Sequence, residues 1–276
     1  RSPSRGLGDV YKRQQQQMAG YVSSAITTSV RMNSLISALQ AERGASGVYL
    51  ASKGQRFADR LKQLRVQSDE KLQIVAALNQ AELLSLKQQL DSVPELRRLI
   101  DSLSISNTES AERYTKLIKS MIAVNHQLES DVPHRQMARE LATLNQFIEM
   151  KERAGRDRAL LGLVFSRGSF NSDLLTKYSD NFGAYNALME NFTRLLSAER
   201  LDDWKELVLQ QSFSEVEKLQ QLAFTAPLEA PLNVDDGVWF DIATKRLTDM
   251  AEFEKLLNAD ITERADMLKQ LSLIHI

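Results

Sequence analysis

Two arginines in this sequence occur in matching local patterns. Arg43 lies in Glu42-Arg43-Gly44-Ala45-Ser46-Gly47, and Arg158 lies in Asp157-Arg158-Ala159-Leu160-Leu161-Gly162. Both segments read acid, arginine, small residue, two further residues and glycine. Each continues through apolar residues to a basic residue, a glycine and a phenylalanine. The repetition indicates that the same local structure is used twice in the chain.

An arginine on the apolar face of a helix needs a negatively charged partner. Residues seven apart return to nearly the same face, which places Arg43 in line with Ile36 and Leu50. Arg158 falls on the corresponding line of a second helix. A buried guanidinium without an anion is strongly destabilising. Because guanidinium is planar and donates forked hydrogen bonds, we predict that Arg43 and Arg158 bind one small anion between their helices.

The same pattern also has structural explanations, and the residues alone leave them open. Glu42, Glu152 or Asp157 could pair with the arginines in a polar layer that fixes helix register. The chain would then be a helical interaction or spacer module. A four-helix chemoreceptor sensor for an organic acid is a third interpretation. Glycines near the arginines leave room for a small ligand or for close helix contact, and we include three of them in the predicted ligand site: Gly44, Gly47 and Gly155.

Composition predicts that these residues lie on long helices. The chain has 276 residues, of which 43% are hydrophobic and 26% charged, with only 11 glycines and 5 prolines. Apolar residues recur at spacings of three and four over about 22–50 and 134–165, which is typical of amphipathic helices. Further helices are predicted at 171–196, 201–222 and 238–270. Short turns between long helices favour antiparallel neighbours. We therefore predict an all-α fold of two stacked four-helix bundles that share long helices.

Several kinds of chemistry are excluded by composition. The chain has no cysteine, and its two histidines within 15–270, His126 and His134, have no partner at metal-ligand spacing. We find no pattern for a catalytic nucleophile, a phosphate loop or a dinucleotide site, and expect no catalytic residue, metal or cofactor. The 35 basic and 36 acidic residues nearly cancel. This balance predicts no contact with nucleic acid.

Both ends of the chain resemble translated sequencing-adapter sequence rather than native protein. The matching segments are Ser4–Gln14 and Leu271–Ile276. We therefore expect residues 1–14 and 271–276 to be adapter-derived, and residues 15–270 to form the helical domain. Loss of native sequence at either end would also hide flanking transmembrane helices.

Most of this domain resembles the nitrate- and nitrite-sensing (NIT) domain of bacterial receptors. The resemblance is carried by Leu39–Ser46, Ser52-Lys53-Gly54 with Phe57, Arg65 with Asp69, Lys151–Ala159, Phe165–Phe170, and Trp239-Phe240 leading to Thr244. The chain departs from the family pattern at Asp157, where glutamate is usual, and at Leu64, where glutamine is common. Both departures are mild.

The resemblance implies that nitrate or nitrite binds between helices through Arg43 and Arg158, with a possible contribution from Arg246. It further implies that binding shifts the last helix and signals to a part absent from this chain. That part is a histidine kinase, chemoreceptor or cyclase, or an RNA-binding antiterminator, in members of the family. We expect a homodimer in the inner membrane with this domain in the periplasm, the cytoplasm being the alternative.

Overall fold

The chain folds into α-helices joined by short turns. The structure, a computed structural model, describes residues 3–78 and 81–274. Its helices are α1 (Pro3–Ala51), α2 (Ala58–Ala76), α3 (Ala81–Leu90), α4 (Val93–Asp101), α5 (Asn107–Asp131), α6 (Arg135–Arg167), α7 (Ser172–Leu195), α8 (Ala198–Val208), α9 (Gln211–Thr225) and α10 (Asp236–Ile274). No strand occurs within these two described ranges. The predicted all-α fold is therefore confirmed.

The first of two compact units comprises the residues up to Asn145 together with those from Asn258 onward. Within it, α1 packs along α2 and α5, and both α3 and α4 contact α5. The buried apolar side chains of α1 occur at the predicted spacing of three and four residues. The least exposed apolar residues of this unit include Val22, Ile26, Leu35, Leu39, Ile118 and Met121.

The second unit spans Gln146–Leu257 and contains α7, α8, α9 and the adjoining parts of α6 and α10. Its core is rich in aromatic side chains, which bury large apolar areas. Both tryptophans lie in this core, with Trp204 2% exposed and Trp239 fully buried. Both are packing residues. The grouping of the helices into two four-helix bundles stays a prediction.

Glycines end the two helices that carry the arginine repeat. Gly54 follows α1 with φ of 82°, and Gly168 follows α6 with φ of 91°. Only glycine adopts this left-handed conformation without a steric penalty. The Gly54 N–H donates to the carbonyl of Tyr49 at 2.8 Å, and the Gly168 N–H donates to that of Val164 at 2.9 Å. The predicted ends of both long helices are confirmed.

Two helix boundaries differ from the prediction. Helix α1 begins at Pro3 rather than near residue 22. Proline is tolerated in the first turn of a helix, and Gly8 and Gly20 lie within α1 without interrupting it. The segment predicted as one helix at 201–222 is divided into α8 and α9. The break occurs at Gln210, whose backbone is extended, next to the 82% exposed Leu209. The adapter origin of both chain ends stays a prediction.

Candidate functional site

Arg43, the arginine of the first repeat, is half-buried on α1. Its Nη1 donates a hydrogen bond of 2.7 Å to Oγ1 of Thr115 on α5. The sequence predicted an arginine facing fully into the core. The structure instead places the guanidinium at the edge of the α1 and α5 contact, where it touches a neutral hydroxyl.

Glu42, the acid of the first repeat, is the residue that lies in the core. Its side chain is 0% exposed. Arg97 of α4 holds the carboxylate in a forked arrangement, with Nε 2.7 Å from Oε1 and Nη2 2.8 Å from Oε2. The hydroxyl of Tyr114 donates a third bond of 2.7 Å to Oε1. The buried carboxylate is therefore neutralised by an arginine from another helix.

The electrostatics of this cluster favour a charged Arg97. Burial opposes the charge on Arg97, but hydrogen bonds to Glu42 and Asp69 outweigh it and raise the pKa of Arg97. Burial, and then the charge of Glu42, raise the pKa of Tyr114 well above its usual value. Arg65 adds a further positive charge 3.8 Å from the Glu42 carboxylate. The tyrosine therefore remains a proton donor to Glu42.

Arg158, the arginine of the second repeat, is half-buried on α6. Its Nη1 donates to Oγ1 of Thr244 on α10 at 2.8 Å. The guanidinium carbon lies 4.7 Å from the centre of the Phe240 ring, within the range of a cation–π contact. The Trp239 indole N–H donates to the backbone carbonyl of Arg158 at 2.8 Å. Three residues of α10 thus fix both the backbone and the side chain of this arginine.

Asp157, the acid of the second repeat, is buried in the same way as Glu42. Arg246 of α10 donates to its Oδ2 at 2.7 Å, and Gln220 of α9 donates to the same oxygen at 2.9 Å. Burial, and then the charge of Asp157, raise the pKa of the nearby Tyr178. Arg246 is only 3% exposed. Its ion pair with Asp157 gives it a structural role, and a direct contribution to the ligand stays a prediction.

The two repeats therefore form the same arrangement in two different units. In each, the acid is buried and paired with an arginine from another helix, while the repeat arginine donates to a threonine hydroxyl. From the sequence alone, Glu42 and Asp157 are possible partners of the repeat arginines. The structure assigns these two acids to Arg97 and Arg246 instead.

Side chains pack closely against two glycines of the repeats. A Cβ atom added to Gly47 would lie 3.1 Å from Oδ1 of Asn107, and one added to Gly162 would lie 3.7 Å from the Trp239 ring. Gly44 and Gly155 are half-buried. At Gly47 and Gly162 the small residue therefore permits close helix contact.

Several site residues were missed by the sequence analysis. Thr115, Tyr114 and Arg97 lie outside the repeat, and no local pattern distinguishes them from other residues of α4 and α5. Lys151 belongs to the family motif and was not predicted as a site residue. It is 3% exposed and forms a buried ion pair with Glu254 of α10. Such partners are found only once the helices have been packed together.

Within residues 3–78 and 81–274, no group of three or more histidine, aspartate or glutamate side chains could hold a metal ion. Within the same ranges, each helix is too short or too polar to cross a membrane.

The described chain is an all-α domain that carries the acid–arginine repeat twice. The family model for nitrate and nitrite sensing (NIT) matches residues 34–262. The nitrate regulatory protein of Klebsiella oxytoca is 26% identical over 268 residues, which cover 93% of this chain and 67% of that protein. The chain therefore belongs to the NIT family of nitrate and nitrite sensing domains. It is a sensing domain and not an enzyme.

A solved structure shares the fold. It is the structure of the NasR transcription antiterminator, which matches with a TM-score of 0.86 and 24% identity, over 98% of this chain and 76% of that chain. The resemblance stated from the sequence motifs is thus confirmed by the family match and the expected fold by the structural match.

These comparisons correct two predictions. We predicted no contact with nucleic acid, and this exclusion is wrong, since the similar structure is that of a transcription antiterminator. Net charge averages over the whole surface and does not report what a regulator acts on. We also predicted a periplasmic domain in the inner membrane, and this location is wrong. The similar proteins are a nitrate regulatory protein and a transcription antiterminator, and neither name is that of a membrane receptor.

Proposed function

We propose that this domain senses nitrate or nitrite by binding the anion through the guanidinium groups of Arg43 and Arg158. The observation that carries the proposal is that the two repeats make the same kinds of contact. In both, another arginine neutralises the adjacent acid, and the repeat arginine is oriented by a hydroxyl. Such a guanidinium keeps the planar donor geometry that suits a small oxyanion.

The proposed relay runs through α10. This helix carries Thr244, which contacts Arg158, and Arg246, which contacts Asp157, and it continues to Ile274. An anion that binds one arrangement of α6 and α10 more tightly than another shifts the balance towards that arrangement. One similar protein is a transcription antiterminator, and its name supports an output in the control of transcription. We propose this output in place of a membrane receptor.

Thermal unfolding with different anions tests the proposed ligand. A ligand present at 100 times its dissociation constant adds about 2.7 kcal/mol to the free energy of unfolding. We expect sodium nitrate and sodium nitrite to raise the melting temperature by several degrees, and sodium chloride at equal ionic strength to leave it unchanged. Stabilisation by acetate or other carboxylates but not by nitrate would favour an organic-acid sensor. No response to any small anion would favour a spacer module.

A further inference from the structure

We infer that Thr115 and Thr244 are positioning residues, each of which orients the guanidinium group of its own repeat arginine for anion binding. The inference rests on the proposed function and adds two residues to that site. Neither threonine is part of the arginine repeat. Each lies on the helix opposite its arginine and accepts a hydrogen bond from the same atom, Nη1, at 2.7 Å for Arg43 and 2.8 Å for Arg158.

A threonine hydroxyl suits this task better than a carboxylate does. An arginine side chain has several rotatable bonds, and a hydrogen bond from one N–H restricts the orientations that the planar guanidinium and its five donors can adopt. The hydroxyl does so without a negative charge. A carboxylate in the same place would neutralise the guanidinium and compete with the bound anion. Threonine is also β-branched, which limits its own rotamers on a helix.

Near each threonine, a second residue of the same helix contacts the acid of the repeat. On α5, Tyr114 donates to the acid Glu42, and the adjacent Thr115 accepts from Arg43. The same division occurs on α10, where one residue holds the acid of the repeat and another holds its arginine. The contacts to the acids fix the helices in register, and the hydroxyl contacts set the direction of the arginines.

The arrangement has arisen at two places whose sequences differ. Residues 114–115 read Tyr-Thr, whereas residues 244–246 read Thr-Lys-Arg. On the helix that carries the threonine, a tyrosine contacts the acid in one case and an arginine in the other. The repeat arginine contacts a threonine hydroxyl in both cases. Packing alone would accept valine at both positions, since valine has nearly the same shape.

Titration calorimetry with nitrate on threonine variants tests the inference. Thr115→Val and Thr244→Val remove the hydroxyl and keep the shape. We expect each to weaken nitrate binding about tenfold, while Thr115→Ser and Thr244→Ser stay close to the unaltered protein. Melting temperatures without nitrate should match across the set. If a valine variant folds poorly, the alanine variant takes its place in the same comparison.

Arg43→Gln and Arg158→Gln, measured in parallel, separate failure of the inference from failure of the proposed function. Nitrate binding that is lost in the arginine variants but unchanged in the valine variants overturns the positioning role alone. Equal losses in the valine and serine variants also overturn it, because serine retains the hydroxyl. Unchanged binding in both arginine variants overturns the proposed site together with the inference.

Discussion

Replacement of Glu42 by glutamine is expected to lower the free energy of unfolding by about 3 kcal/mol or more, the range measured when one partner of a buried ion pair is removed. The variant leaves the Arg97 guanidinium, 12% exposed, facing a neutral amide. It also removes the charge that Arg65 approaches at 3.8 Å. Urea unfolding followed by circular dichroism measures the change.

Glu95 provides a matched control on the surface of the same unit. Arg98 holds Glu95 in the same forked geometry, at 2.8 and 2.7 Å. The side chains of this pair are 57% and 64% exposed. We expect Glu95→Gln to lower the free energy of unfolding far less than Glu42→Gln does, because exposed ion pairs contribute little. An equal loss in the free energy of unfolding at Glu42 and Glu95 would contradict the claim that burial makes the Glu42 cluster stabilising.

Replacement of Phe147 by alanine is expected to lower the free energy of unfolding by about 3–5 kcal/mol, as for other buried aromatic residues. The Phe147 side chain is fully buried in the second unit. Its ring centre lies 5.2 Å from that of Phe192, 5.9 Å from that of Trp204 and 5.6 Å from that of Phe253. Removing the ring leaves a cavity that these rigid neighbours cannot fill.

Two variants serve as controls for Phe147→Ala. Phe147→Leu retains most of the apolar volume and should be clearly less destabilising. Leu209→Ala removes a side chain that is 82% exposed and should change the free energy of unfolding by less than about 0.5 kcal/mol. A loss at Phe147 no larger than that at Leu209 would show that the aromatic cluster does not stabilise this unit.

The long helices and their ends could be predicted from the sequence because both are encoded locally. Apolar spacing along 22–50 and 134–165 identifies the helices, and Gly54 and Gly168 end them with positive φ angles. The break at Gln210 could not be predicted, because it lacks such a local signal. No proline or glycine marks it, so the sequence there is compatible with one continuous helix.

The partners of the repeat residues could not be predicted, because helical spacing defines a face but not what lies against it. Glu42 meets Arg97, which is 55 residues further along the chain. Spacing also could not separate Glu42 from Arg43, since adjacent residues both fall within a broad apolar stripe. The structure shows the acid in the core and the arginine at its edge.

The repeat stands out in the sequence, and the structure divides its contacts between its acid and its arginine. Its acids are structural, as the ion pairs of Glu42 and Asp157 show. Its arginines are the groups proposed for ligand binding. Buried ion pairs between helices, which the sequence allowed as an alternative, do occur, but they join the acids to Arg97 and Arg246 rather than to the repeat arginines.

Calorimetric titration of nitrate into the unaltered domain, Arg43→Gln and Arg158→Gln tests the central claim most directly. Loss of a hydrogen bond to a charged group costs about 1.5–3 kcal/mol. We therefore predict that each variant binds nitrate roughly ten- to a hundredfold more weakly, with its melting temperature in the absence of nitrate unchanged. Nitrate binding of the same affinity in both variants and in the unaltered domain would contradict the assignment of Arg43 and Arg158 as the ligand-binding residues.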